Sequence, residues 1–332
     1  MLQAIWTEQG IGMVDAKLPS LPKGWVRLRM AACGICGSDL HALRGERQAP
    51  LGNVPGHEIA GTLVDGGKGL ADTLYAVEPT VYCGECEPCR SGVRHLCQTH
   101  RFIGGAGAPG GLAEFVDVPE YAAHALDPSL SPALGATAEP VAVSLRGINQ
   151  AHLQPGSRTL VLGSGSIGLM TGLFARDRSA EVGITARYPH QREAARRLGL
   201  EPLAEDALHD WARDRPPDVV FETVGGHADT LNDAIAVCRP GGRIVILGVF
   251  TRPPPIDALQ LVIKEIQLVG SILYGTGPAR SEFAAATAFL PRYAAQLTSQ
   301  LTHQFPLSAT LEAFACASDK SQGPIKVTVL AD

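Results

Sequence analysis

The strongest chemical signal in the 332 residues is Cys83, Cys86, Cys89 and Cys97, spaced C-x2-C-x2-C-x7-C. That spacing lets four thiolates wrap one tetrahedral ion on a small lobe. Four sulfur ligands leave no coordination position for water or substrate, so the expected role is a structural Zn2+ site. An iron–sulfur cluster or four reduced thiols are the other readings of the same spacing. Cys33, Cys238 and Cys316 lie in apolar or glycine-rich sequence and read as small buried residues.

A second set lies upstream. Gly34-Ile35-Cys36-Gly37-Ser38-Asp39-Leu40-His41 is followed by Pro55-Gly56-His57-Glu58. Cys36 and His57 offer one thiolate and one imidazole. A carboxylate as third ligand would leave the open position that a catalytic zinc requires. From spacing alone, one cysteine and one histidine this far apart fit a structural pair equally well.

Further along, Gly163-Ser164-Gly165-Ser166-Ile167-Gly168 gives G-x-G-x-x-G. The first glycine permits a tight turn, the second admits a pyrophosphate, and the third lets a helix pack on a strand. With Ser166 and Ile167 opening the helix, the diphosphate belongs on its N-terminus; a glycine-rich turn without ligand is the plainer reading. An acid roughly twenty positions on normally receives the ribose hydroxyls of NAD, yet Ala186 occupies that place and Arg187 follows it. A missing carboxylate and an arriving guanidinium favour the 2′-phosphate of NADP over NAD, with Arg192 as a helper. A solvated surface arginine is the alternative for Arg187.

The elements that must position these residues fall into two textures. Before about Pro119 the chain reads as short β-like runs, such as WVRLRMAACG and EFVDVP, between glycine, proline and charged turns. After Gln154-Pro155-Gly156, strands (RTLVLG, VGITA, DVVFETV, RIVILGV, IQLVGSIL) alternate with helices (SIGLMTGLFARD, HQREAARRLG, DTLNDAIAVC, DALQLVIKE). Such alternation implies a parallel sheet covered on both faces. A helical stretch, EFAAATAFLPRYAAQL, then precedes a terminal strand, IKVTVL, expected to return to the first domain.

Composition bounds the rest. The length suits two domains. A net charge of −5 with mixed signs offers no concentrated basic face for nucleic acid. No run reaches the length of a membrane span and no secretory signal opens the chain, so the expected compartment is the cytoplasm. The cysteine pattern suits metal better than disulfides.

Taken in order, G-I-C-G-S-D-L-H, then G-H-E, the four-cysteine lobe and G-x-G-x-x-G resemble the zinc-dependent medium-chain alcohol dehydrogenases over essentially the whole chain. The resemblance implies an α/β protein: a β-rich GroES-like catalytic domain over residues 1–140, completed by 276–332, and a Rossmann doubly wound parallel-sheet domain over 141–275. It places the active site in the cleft between them. It implies that Cys36 and His57 bind the catalytic zinc and that Asp39 accepts the other imidazole hydrogen of His57. Ala138-Glu139-Pro140 is similar to the sorbitol and threonine dehydrogenase branches, which makes Glu139 the nearest candidate for the third ligand; in that branch Glu58 can move into the same coordination sphere, and sequence does not choose between the two carboxylates and water. Ser38 then takes the substrate proton, and His41 passes it through the cofactor ribose to solvent; an exposed polar residue is the plainer reading of His41.

The expected reaction is reversible hydride transfer between a small secondary or polyol alcohol and NADP(+), by a homodimer or homotetramer joined near IQLVGSIL. Two rivals stand beside it. One is a zinc-free quinone or enoyl reductase, whose relatives lack these cysteines and His57. The other is a catalytically inactive regulatory protein that binds zinc and NADPH.

Overall fold

The computed structural model describes residues 1–69, 72–275 and 281–332. The chain divides into two compact units, Met1–Ala142 with Gly275–Asp332, and Val143–Tyr274. The expected return to the first domain at residue 276 falls on residues 276–280, outside the described residues.

The first unit is built around one long strand. WVRLRMAACG alternates enough apolar residues to bury most of Trp25–Gly34, and it pairs antiparallel with Glu58–Asp65, Phe115–Pro119 and Lys326–Leu330. The terminal strand does return to this sheet. The sheet runs Ala123–Ala125, Leu74–Val77, Glu58–Asp65, Trp25–Gly34, Lys326–Leu330, Leu301–Pro306. Register matters most at its end: Gly34 lies opposite Glu58 on one side and Thr328 on the other. The residues just past Gly34, just before Glu58 and beside Thr328 therefore converge, far apart as they are in sequence. Trp6, Leu28, Met30, Ile59 and Phe314 belong to the core beneath.

In the second unit six parallel strands run in the order Glu201–Leu203, Ser179–Thr185, Ser157–Leu162, Val219–Glu222, Arg243–Ile246, Gln267–Gly270. This is the doubly wound order 3-2-1-4-5-6, whose direction reverses between the first and fourth strands. Ser157–Leu162 and Val219–Glu222 are buried at every position, as strands covered on both faces must be.

One expected element is divided. The stretch read as a single helix after Ser281 is Glu282–Phe289 and Ala294–Thr298, joined by a 3-10 turn over Pro291–Tyr293. Pro291 lacks the amide that an α-helix interior needs.

Candidate active site and metal centres

The helix Gly37–Leu43 starts where the long strand stops. Cys36 is its N-cap in an extended conformation, and Asp39 reaches back to accept the Cys36 amide at 3.1 Å. The Cys36 sulfur in turn accepts the Asp39 amide, so the side chain is held at the first turn of the helix.

His57 stands at the start of the strand opposite, buried against the Phe102 ring with centroids 5.2 Å apart. Its Nε2 lies 3.5 Å from the Ser38 hydroxyl and its Nδ1 lies 3.8 Å from Asp39. The second separation is an ion-pair distance rather than a hydrogen bond, because Asp39 spends its other oxygen on the Cys36 amide. Burial pulls the imidazolium down, but the Cys36 and Asp39 charges outweigh it and hold His57 up at about 10. Asp39 is itself pushed up by burial.

The backbone that carries His57 is held by glycines. Gly56 has φ +92°, and a Cβ there would sit 2.6 Å from the Cys33 sulfur. Gly104 and Gly110 press on the Gly56 carbonyl so closely that neither tolerates a side chain. Gly111 donates to that carbonyl at 2.9 Å. The stretch Ile103–Gly111 is therefore a support packed behind His57, a role with no local sequence signature.

The two carboxylates differ. Glu58 gives both oxygens to Lys326 Nζ at 2.7 Å, and the same ammonium donates to the Ile35 carbonyl at 3.2 Å. Gly34, directly opposite Glu58, has no side chain in the way; a Cβ there would overlap the carboxylate. Glu139, in the first turn of the helix Ala138–Ala151, is 5% exposed. Burial pushes its carboxyl up to about 7, and its charge acts on His57. Sequence reading missed Lys326, although a lysine inside the apolar run IKVTVL needs a buried partner.

Cys83, Cys86, Cys89 and Cys97 have ligand atoms all within 4.8 Å, the only such group of three or more among the described residues. The Sγ···Sγ separations of 3.9, 3.8 and 3.6 Å match the edge of about 3.8 Å of a tetrahedron with Zn–S near 2.3 Å. The amides of Glu85 and Cys86 each donate to Cys83 at 3.4 Å and pull its thiol down to about 6. The donor set fits zinc.

In the second unit the three glycines divide their tasks. Gly163 has φ +97° and a Cβ there would meet Val224 at 2.7 Å. Gly165 caps the helix Ser166–Arg176, and a Cβ there would meet nothing within 4 Å, which leaves its face open. A Cβ at Gly168 would overlap the Gly163 carbonyl oxygen. The Ser164 and Ser166 hydroxyls are buried without partners among the described residues, as expected where a ligand supplies them. At the end of the second strand Thr185 accepts the Gly163 amide at 2.8 Å. Ala186 is buried, Arg187 is exposed and paired with Glu205 at 3.0 Å, and Arg192 donates to the Ala186 carbonyl at 2.9 Å.

Two family models match: the alcohol dehydrogenase GroES-like domain over residues 22–128 and the zinc-binding dehydrogenase model over residues 166–292. L-galactonate-5-dehydrogenase of Escherichia coli (strain K12) is 30% identical over 302 residues, covering 86% of each chain. The chain belongs to the zinc-dependent medium-chain alcohol dehydrogenase family. Sorbitol dehydrogenase of Bacillus subtilis (strain 168) is 29% identical, covering 94% of this chain and 92% of the relative. A protein from Sinorhizobium meliloti 1021, described as a zinc-binding dehydrogenase and solved bound to NADP, superposes with a TM-score of 0.88 at 27% identity, over 99% of both chains. As a member of this family the chain is a dehydrogenase acting on alcohol groups. No helix among the described residues is long and apolar enough to cross a membrane.

Proposed function

We propose that this dehydrogenase transfers hydride between a secondary hydroxyl carbon of an open-chain polyol or sugar acid and NADP. The observation that carries the chemistry is the half-buried Cys36 and the buried Glu139, whose charges both act on the buried His57, with the Ser38 hydroxyl 3.5 Å from His57. The substrate class rests on relatives named for sorbitol and L-galactonate.

Cys36, His57 and Glu139 hold the catalytic zinc in this reading. Glu139 is favoured over Glu58 because Lys326 already occupies both Glu58 oxygens. When bound, zinc supplies a Lewis acid that polarises the alcohol oxygen and lowers its pKa. Asp39 and Phe102 fix the His57 ring. Ser38 takes the hydroxyl proton, and His41, three residues on along the same helix face, is its outlet to solvent. Cys83, Cys86, Cys89 and Cys97 hold a second zinc that only supports the lobe.

Gly163, Gly165 and Gly168 leave room for the diphosphate at the amides of Ser166 and Ile167. The NADP assignment rests on the absence of a carboxylate at Ala186 and on Arg187 and Arg192 beside it. Glu205 shields Arg187 only as an exposed pair, and such pairs contribute about 1 kcal/mol or less, which a phosphate outcompetes.

The same unit presents an association surface. Gln267–Gly270 ends the strand order, and Leu259, Val262 and Ile263 on the adjoining helix are 67%, 72% and 64% exposed. An open strand edge flanked by apolar side chains suits a second copy of the chain. Light scattering tests it: Val262→Asp should release monomers from a dimer or tetramer.

The first test of function is nicotinamide absorbance with zinc-replete protein, offered primary alcohols, secondary alcohols, polyols and sugar acids, first with NADP and then with NAD. Turnover of secondary hydroxyls mainly with NADP is expected. A clear NAD preference sinks the Arg187 assignment, and silence with both cofactors sinks the reaction.

A further inference from the structure

Resting on the proposed role of His41, we propose that Glu46 is a positioning residue for the proton outlet: it holds the His41 ring by Nδ1 and leaves Nε2 as the atom that takes and returns the proton.

The observation begins with the backbone. The helix Gly37–Leu43 ends at Arg44, and Gly45 follows with φ +69°. The Gly45 amide donates to Ala42 O at 3.0 Å and the Glu46 amide donates to His41 O at 2.9 Å. This pair of bonds is a Schellman motif, in which a left-handed residue folds the second residue beyond the helix back against its last full turn. Commonly an apolar contact fills that place. Here the motif delivers a carboxylate, and Glu46 Oε2 pairs with His41 Nδ1.

Arg44 locks the carboxylate from the other side. Its Nε donates to Glu46 Oε1 at 2.7 Å, and its second nitrogen lies 3.4 Å from Oε2 and 3.2 Å from His41 Nδ1. A guanidinium and a protonated Nδ1 are both donors, so the closer carboxylate decides which tautomer is held: Nδ1–H donates to Glu46 and Nε2 carries the free lone pair. The Arg44 hydrogen bond and then that of His41 hold the Glu46 carboxyl down at about 2, so it stays an anion at neutral pH. Lys320, beyond the helix Thr310–Ser318, is a further cation near this cluster and feels the charge of Arg44.

The consequence is a defined proton transfer. In alcohol oxidation Nε2 accepts one proton, the ring becomes an imidazolium, and Glu46 faces its Nδ1–H throughout. Nε2 then releases the proton to solvent; in carbonyl reduction the order reverses. An unpaired ring would divide its time between tautomers and rotamers, of which only one presents Nε2.

The test uses zinc-loaded enzyme and the burst of nicotinamide reduction, which reads the chemical step rather than product release. Glu46→Gln should slow the burst by about 5- to 50-fold, a part of the 10²–10⁴ that positioned proton transfer supplies. Dissociation constants for nucleotide and substrate should stay within about twofold, and Glu46→Asp should recover part of the rate. Gly45→Ala, which meets nothing within 4 Å but opposes the left-handed turn, should slow the burst in the same way. In a His41→Gln background Glu46→Gln should add nothing, which a merely structural role would not produce. A slow His41→Gln burst beside an unchanged Glu46→Gln burst overturns the proposal. If His41→Gln is itself as fast as the unaltered enzyme, the outlet reading fails and the role of Glu46 falls with it.

Discussion

Replacing Lys326 by methionine removes one half of a buried ion pair and leaves the shape of the side chain nearly intact. Lys326 is 3% exposed and Glu58 1% exposed, with both carboxylate oxygens 2.7 Å from the ammonium. Desolvation opposes the Lys326 charge, but Glu58 overrides it and raises the ammonium above its usual range. Stripping one partner from such a pair costs about 3–5 kcal/mol, because the survivor is a buried charge without a counterion. In a unit of roughly 200 residues, 1 kcal/mol moves the midpoint by about 2–4 °C. Lys326→Met should therefore lower Tm by about 6–20 °C. Urea unfolding of zinc-replete protein, followed by fluorescence, measures the same loss as a shift of midpoint at constant slope. The double variant Glu58→Gln/Lys326→Met tests the cause: with the charge gone, most of the loss should return, to within about 1–2 kcal/mol of the original. A single variant within 1 kcal/mol of the parent, or a double variant no better than the single, would refute the argument that an uncompensated carboxylate is responsible.

Other consequences divide between metal, nucleotide and acid stability. Cys36→Ser should lose one zinc equivalent and all turnover while keeping its Tm within a few degrees, whereas Cys97→Ser should also lose one equivalent but unfold at markedly lower temperature; metal analysis with calorimetry distinguishes them. Gly165→Ala should fold normally, since its Cβ meets nothing within 4 Å, yet bind nucleotide poorly by fluorescence titration. Gly168→Ala should fold poorly, because the Gly163 carbonyl occupies the place of its Cβ. Arg187→Ala should raise KM for NADP by about 10- to 100-fold and leave KM for NAD nearly unchanged. Arg158 hydrogen bonds hold Glu181 below the usual carboxyl range. A depressed folded pKa contributes stability above the unfolded value near 4.3 and loses it as pH falls. Glu181→Gln should thus cost about 0.5–1.5 kcal/mol at pH 7 by urea unfolding, with the gap closing toward pH 3; a gap that widens on acidification contradicts the pairing.

What could be read from the sequence was chemistry set by neighbours in the chain. The cysteine lobe was legible because fifteen residues contain all four sulfurs, and the glycine loop because each glycine answers to a backbone constraint local to one turn. The alternating strands and helices were legible because parallel strands buried on both faces must be apolar throughout. The Glu58 partner was not, since Lys326 lies 268 residues away and only the pairing of the last strand with the first long one brings it there. The glycines from Gly104 to Gly111 were visible, but their packing behind Gly56 depends on a contact no local pattern encodes.

The same distinction explains why the two carboxylates of the proposed catalytic zinc site could not be assigned from their order along the chain. Adjacency to His57 makes Glu58 look available, yet its side chain crosses Gly34 to the strand beyond, Lys326–Leu330, where Lys326 pairs with it. Glu139 is distant in sequence and arrives from a helix, where the His57 and Lys326 charges act against the cost of its burial. Its burial is costly unless positive charge offsets it, and the proposed zinc would add to the charge that His57 and Lys326 already supply. The proposed preference for Glu139 over Glu58 therefore rests on which carboxylate Lys326 already holds, which is a property of the folded chain rather than of any motif within it.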